Sequence, residues 1–250
     1  MLKLVRYLYG CLCIIALLAV MTGISGCGKK NTYPLFEYIE DDNGQLHITG
    51  LTDTGKMAES ITIPAVIEGK NVISVDRGAF NESSSVKEVI IEEGIASIGE
   101  NAFFNCYRLE KVSVPASITY VGTNVFKGTV FEKAAYDTDG AVIVNGILAS
   151  VKPGLSEYTV PDGVKIIAPG VFYNNTVLEK VNLPDSLEII GNFAFSGCTA
   201  LTELTLNEGL KRIEYAAFGG CTNLSVTVPE GVSYIGTDAF LDVKEVKEVK

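Results

Sequence analysis

The chain has 250 residues, 47% of them hydrophobic, with 25 Gly, no Trp and a formal net charge of -10. That balance excludes a disordered or collagen-like chain and describes a folded protein of the secreted or surface kind. No basic stripe is visible, so nothing is set up to neutralise phosphates and nucleic acid is not an expected partner, while the acidic surface favours solubility.

Residues 1–26 lie outside the fold. Lys3 and Arg6 form a positive start, Tyr7 to Val20 is an apolar run, and Gly23-Ile24-Ser25-Gly26 supplies small residues before Cys27, the layout of a secretory signal. Removing it takes away 2 of the 20 positive charges and none of the 30 negative ones, which leaves the mature chain at -12. The apolar run is short for a membrane span, which needs roughly 20 residues. Ile24-Ser25-Gly26-Cys27 resembles the lipobox of bacterial lipoproteins, in which an aliphatic and two small residues precede a Cys that is diacylglyceryl-modified and becomes the mature N-terminus. The resemblance implies a lipid on Cys27 and an extracytoplasmic protein held on a bacterial cell membrane or outer membrane; an ordinary signal peptide or an uncleaved anchor is the alternative. Residues 27–35, with the polar stretch GKKNTYP from Gly28 to Pro34, read as lipidated Cys and tether.

Residues 36–59 are expected to form an N-terminal β-hairpin cap. Phe36, Tyr38 and Ile39, then Asp42-Asn43-Gly44, then Leu46 and Ile48 describe two strands around an Asn-Gly turn. A cap of this kind covers the apolar face and strand edge that an end coil would expose.

Residues 60–240 are a repeat array. The Phe that closes each Ala-Phe-like pair falls at Phe80, Phe103, Phe126, Phe172, Phe195, Phe218 and Phe240, at intervals of 23, 23, 46, 23, 23 and 22. The 46 is two periods, which places a drifted unit between Phe126 and Phe172 with the register kept. A fixed period of this size marks a solenoid whose coils bury their faces only against neighbours. Ser60 to Val75 is a first repeat: its Pro64 stands 16 residues before Phe80, where Pro115, Pro161, Pro184 and Pro229 stand 11 before theirs, so a loop of five is inserted around Glu68-Gly69-Lys70.

Within a unit the pattern is I-G-x-x-A-F-x-x-C-x-x-L-x-x-V-x-I-P, seen at Ile98 to Pro115, Ile190 to Asn207 and Ile213 to Pro229. The L-x-x-V-x-V part alternates as a strand with one buried side, and Pro ends it for want of an N–H. The Ile-Gly pairs mark a second short strand entering a tight turn, with the glycine expected for its conformational freedom. Ala-Phe then inserts into the core. At about 4.8 Å per coil, about eight coils make an arc roughly 40 Å long. The predicted fold class is thus a mainly β solenoid of short stacked parallel strands, turns and short helical turns.

These units resemble the BspA-type leucine-rich repeats of bacterial surface proteins, which carry the same Ile-Gly, Ala-Phe, Cys, Leu and Ile-Pro landmarks. The match covers about residues 60 to 240, and Gly140 to Pro161 (GAVIVNGILASVKPGLSEYTVP) resembles a variant unit of that family. The resemblance implies an exterior, non-catalytic module that binds or adheres to a protein partner on a host or neighbouring cell surface, with no cofactor and no catalytic residue to carry over. A glycan-binding surface lipoprotein is the alternative, expected to cluster exposed tyrosines on one wall.

The outward positions of the strand wall, Lys87, Glu88 and Ile90, Glu110, Lys111 and Ser113, Glu179, Lys180 and Asn182, and Thr202, Glu203 and Thr205, form the candidate binding wall. Alternation alone also predicts a merely solvated sheet face there. Tyr107, Tyr120, Tyr173, Tyr215 and Tyr234 are candidate anchors elsewhere on the coil. Cys106, Cys198 and Cys221 share one repeat position, readable as small buried hydrophobes or, for Cys198 and Cys221, as a bridged pair; their spacing is not that of a zinc site. His47, the only histidine, reads as an exposed or half-packed strand residue rather than a general base. Asp41-Asp42-Asn43-Gly44 and Asp137-Thr138-Asp139-Gly140 suggest calcium loops but lack the first and twelfth ligands, so turns account for them better. After Phe240 no further strand is expected, and residues 241–250 form a charged tail that guards the open edge.

Overall fold

The computed structural model describes residues 31–248; the expected signal segment and Cys27 lie outside the described residues. Asn31–Tyr33, read from the sequence as tether, adds a third antiparallel strand beside Phe36–Glu40, which pairs in turn with Leu46–Leu51. The turn between the last two is held by the Asp41 carboxylate, which accepts the Asn43 N–H at 2.9 Å and the Gln45 N–H at 2.8 Å. Those bonds, led by Gln45, hold its carboxyl below the usual carboxylate range and make the segment a turn rather than a cation loop. Leu46–Leu51 hands the ladder to the first coil by pairing in parallel with Lys70–Val75, and the Phe36 ring meets Phe80 edge-on at 6.2 Å. The five inserted residues fold as a small hairpin, Val66–Ile67 against Lys70–Val75, across Glu68-Gly69.

Three ladders join successive coils, although the wall strand Ser225–Val228 does not pair with Glu203–Leu204. The first is the L-x-x-V-x-V strand, with Ser60–Ile63, Glu88–Ile91 and Lys111–Ser113 paired in parallel, Val89 and Ile91 inward and Ile90 outward. The second is the isoleucine strand, as in Ile166–Ile167, Ile189–Ile190, Arg212–Ile213 and Tyr234–Ile235. The third is made by the Ala-Phe turns themselves: Phe172 N–H bonds Ala194 O, Phe195 N–H bonds Ala217 O and Phe218 N–H bonds Ala239 O, each at 2.8 Å. This third ladder fixes the phenylalanines face to face, with centroids 4.8 Å apart for Phe172 and Phe195 and 5.1 Å for Phe195 and Phe218. Each buried ring contributes about 2–3 kcal/mol by area.

The Ile-Gly glycines serve a different purpose from the one the sequence suggests. None of Gly99, Gly122, Gly191 and Gly236 has a left-handed backbone. A Cβ on Gly99 would instead lie 2.5 Å from Arg77 N, and one on Gly236 2.5 Å from Tyr215 N, because the previous coil's backbone presses against this point. The left-handed residue comes two positions later, at Asn101 (φ 56), Asn124 (φ 55), Phe193 (φ 56), Ala216 (φ 48) and Asp238 (φ 57). Gly99→Ala is therefore expected to destabilise the fold by about 1–3 kcal/mol through overpacking, read as a lowered urea midpoint; an unchanged midpoint would contradict the close approach.

The spacing of 46 residues predicts an unbroken stack, and here the structure differs. The drifted unit is a helix, Val130–Thr138, followed by a hairpin of Ala141–Val144 and Ile147–Val151. Thr129 caps the helix by accepting the Glu132 N–H at 3.0 Å. Phe131 N–H bonds Leu109 O at 2.8 Å, so the helix occupies the level where the next wall strand would begin. As a result the Ser60, Glu88 and Lys111 set of wall strands is separated from the set of Glu157–Thr159, Lys180–Asn182 and Glu203–Leu204, and a further break leaves Ser225–Val228 outside both. The isoleucine ladder stops at Tyr120–Val121 and resumes at Ile147–Val151. The phenylalanine column ends with Phe126 edge-on to Phe131 at 5.2 Å and restarts where Tyr158 meets Phe172 at 5.8 Å. The core falls into two clusters that divide within the hairpin, the first taking Val142, Val144, Ile147 and Ala149 and the second Ala141, Leu148 and Val151.

At the C-terminus a strand does arrive, correcting the expectation of a tail without one. Glu245–Glu248 pairs in parallel with Ser225–Val228, with Val246 opposite Val226. A short alternating segment suffices because the preceding strand offers a free row of N–H and C=O groups.

Candidate functional site

All twelve predicted wall residues are exposed or half-buried, but the helix divides them into two groups that share no ladder. Lys87, Glu88, Ile90, Glu110, Lys111 and Ser113 stand on the first; Glu179, Lys180, Asn182, Thr202, Glu203 and Thr205 stand on the second, over a shallow depression of about 510 Å³ that includes five of these six. Neighbouring coils satisfy one another here: Lys180 Nζ meets Glu203 Oε2 at 2.9 Å, Lys87 Nζ meets Glu59 Oε1 at 2.9 Å, and Asn182 Nδ2 donates to Thr159 Oγ1 at 3.0 Å. The hydrogen bond and charge of Glu203 push the Lys180 ammonium pKa up. Exposed pairs of this kind contribute about 0–1 kcal/mol each. The wall is a self-paired polar face without an aromatic anchor.

The anchors sit elsewhere. Tyr107, Tyr120, Tyr173, Tyr215 and Tyr234 are all exposed. Two of them join Phe193, which the repeat pattern leaves unspecified: 40% exposed, it meets Tyr173 at 6.3 Å and Tyr215 at 5.1 Å, both edge-to-face. Beside this row the Arg212 guanidinium lies 4.1 Å over the Tyr234 ring and bonds Glu214 Oε1 through Nε at 2.7 Å. Phe193 also carries the left-handed φ of 56 that Asn101, Asn124, Ala216 and Asp238 adopt in other coils. For a bulky aromatic that conformation is strained by about 1–2 kcal/mol. A signal for it was present in the repeat alignment, where one slot holds Asn, Asn, Ala and Asp but here Phe.

Tyr173 and Phe193 form part of the lining of a cavity of about 710 Å³ at the break between the two stacks. Its other walls come from the helix, the hairpin end and the adjoining turns, including Asn124, Lys127, Glu132, Lys152 and Thr176. Glu132, 7% exposed, is satisfied from within: Oε2 accepts the Gly128 N–H at 3.1 Å and Oε1 the Tyr136 hydroxyl at 2.8 Å. Burial chiefly, reinforced by that carboxylate, pushes the Tyr136 hydroxyl far up, so it stays a donor.

A family model described as BspA type leucine rich repeat region matches six copies over residues 55–178 and 143–250. The chain belongs to the BspA-type leucine-rich-repeat family. Among solved structures it is similar to a leucine-rich repeat protein of T. pallidum (24% identity, 87% of this chain and 91% of that one, TM-score 0.44). It is also similar to one from Bacteroides ovatus (28% identity, 86% and 57%, TM-score 0.44). A third is a leucine rich cell surface protein from Faecalibacterium prausnitzii (17% identity, 91% and 96%, TM-score 0.39). No curated protein matches the chain.

Two further clusters of this BspA-type chain have structural roles. His47 is half-buried between Asp41 and Asp76, with Nδ1 2.7 Å from Ser74 Oγ. Ser74 Oγ donates to Asp76 Oδ1 at 2.6 Å, so the imidazole nitrogen facing it carries its own proton and cannot act as base toward that hydroxyl. Cys106, Cys198 and Cys221 are free and buried, which settles the pairing question. Their thiols donate to the carbonyls of Phe80, Phe172 and Phe195 at 3.0, 3.1 and 3.1 Å. Burial pushes them up to about 11, 12 and 11. All three are expected to resist a thiol reagent at pH 8 in the native domain and to react together in guanidinium; rapid native labelling would contradict this packing. Among the described residues no group of three or more His, Cys, Asp or Glu is placed to hold a metal ion, and no helix is long and apolar enough to cross a membrane.

Proposed function

We propose that this protein is a lipid-anchored, extracytoplasmic, non-catalytic binding module that holds a protein partner on a host or neighbouring cell surface through the row Tyr173, Phe193 and Tyr215. The observation that carries the reading is Phe193, a strained aromatic kept at the surface between two tyrosines. Strain retained at an exposed position points to function, and clustered aromatics dominate interface energies. The repeat fold supports this role because stacked coils present extended surfaces on a rigid frame. Pull-down of host and bacterial surface proteins with the domain that follows Cys27, in parallel with its Phe193→Asn variant, tests it; capture that is equal for both would remove the row from the function.

The glycan-binding alternative gains support from the same row, because an aromatic cluster beside a polar recess is the arrangement it anticipates. A glycan array run beside the pull-down separates the two: a defined glycan bound with no protein captured would replace the first reading by the second. Membrane attachment rests on the lipobox-like Ile24-Ser25-Gly26-Cys27. Cys27→Ala is expected to release the protein from the membrane fraction and to change its mass by the loss of diacylglycerol; retention at unchanged mass would defeat the anchor.

A further inference from the structure

The geometry points to the cavity at the break as a binding site for a sugar residue that bears a carboxylate, with the mutually perpendicular rings of Phe193 and Tyr173 as its aromatic walls and Lys127 and Lys152 as the groups that read the acid. The inference deepens the aromatic-row reading and rests on it.

The site exists because one unit departs from the repeat. Between Phe126 and Phe172 the helix and hairpin interrupt the ladders that join successive coils and leave about 710 Å³. That volume is in the range of small-ligand sites. Its lining is mixed in the way a saccharide requires: exposed ring faces for the C–H side of a pyranose, with amide and hydroxyl groups for its hydroxyls. Asn124 and Thr176 face the recess with side chains that make no hydrogen bond among the described residues. Tyr173 is 56% exposed and Phe193 40% exposed, so a ligand would cover ring surface now open to water.

Charge selects within that class. The chain carries a net charge of -10, yet Lys127 and Lys152 both line the recess and neither has an ion pair among the described residues. The acid nearest to hand, Glu132, is turned inward and engaged by the Gly128 N–H and the Tyr136 hydroxyl. Two uncommitted ammonium groups over a polar floor favour an anion, and the adjoining aromatic walls favour an anion carried on a ring.

Isothermal titration of the domain following Cys27 with glucuronic acid and N-acetylneuraminic acid, with glucuronamide and glucose as uncharged probes, tests the proposal. At least one acid is expected to bind, with affinity reduced roughly tenfold by Lys127→Ala or Lys152→Ala and weakened in 0.5 M salt. Phe193→Asn is expected to reduce it roughly thirtyfold while the domain stays folded by circular dichroism. Equal binding of the acids and the uncharged probes, binding unaffected by both lysine variants, or no binding of any of these sugars would overturn it. If protein partners are still captured through the aromatic row when no sugar binds, the inference fails and the proposed function stands; if Phe193→Asn changes neither, both fail.

Discussion

Phe195→Ala is expected to lower the unfolding free energy by about 3–5 kcal/mol. Its ring is fully buried and stacked at 4.8 Å on Phe172 and 5.1 Å on Phe218, both nearly parallel to it. Removing it leaves a void that faces two rings at once. The neighbouring coils cannot collapse into that void, because the Ala-Phe turns are spaced by backbone bonds such as Phe195 N–H to Ala217 O and Phe172 N–H to Ala194 O. In a stacked array such a loss acts on nearest neighbours first. Since the core is divided within the hairpin that follows the helix, hydrogen exchange should show protection falling from about residue 157 onward while the Ile61 to Phe126 half keeps its own. Urea unfolding would give the total. A loss below about 1 kcal/mol, or an equal loss of protection in both halves, would count against a column divided in two.

Phe193→Asn is expected to move stability and binding in opposite directions. Asparagine tolerates the left-handed backbone, and it already stands at this slot in Asn101 and Asn124. The exchange should therefore relieve strain and raise stability by about 0.5–1 kcal/mol, less whatever the edge-to-face packing on Tyr173 and Tyr215 contributes in the native protein. Partner affinity should fall by about 2 kcal/mol or more, on the order of thirtyfold, as for a central aromatic anchor. The pair of measurements separates a functional residue from a structural one: a merely structural Phe193 would lose stability and leave binding alone.

The two substitutions lie two residues apart within one unit, and the sequence described them unequally. Phe195 was legible because it recurs at fixed period with Phe172 and Phe218, and periodicity reports burial directly. Phe193 falls at an unspecified position of the I-G-x-x-A-F pattern, where Asn101, Asn124 and Asp238 of other copies already mark a polar slot. Its positive φ is visible only in the folded coil. The cysteines show the same division: equal spacing gave their common position, but their thiols' direction toward Phe80, Phe172 and Phe195 carbonyls depends on the packed coil. Lys127 and Lys152 carried no sequence signal, since 25 residues separate them and nothing in the period relates them.

The sequence by itself determined the scaffold: the solenoid, its parallel strands, the phenylalanine column, the hairpin at the entrance and the BspA-type family. These follow from local alternation and a constant repeat, which are one-dimensional properties of the chain. Tertiary structure alone decided that the stack is divided at Val130–Thr138, that the wall is not continuous, that the Ile-Gly glycines admit a neighbouring backbone, and that a recess lies beside an exposed aromatic row. Each of these depends on how one coil seats on the next. A drifted unit keeps its count of residues while turning its backbone groups to bonds within its own helix, so the number survives in the sequence and the contact does not.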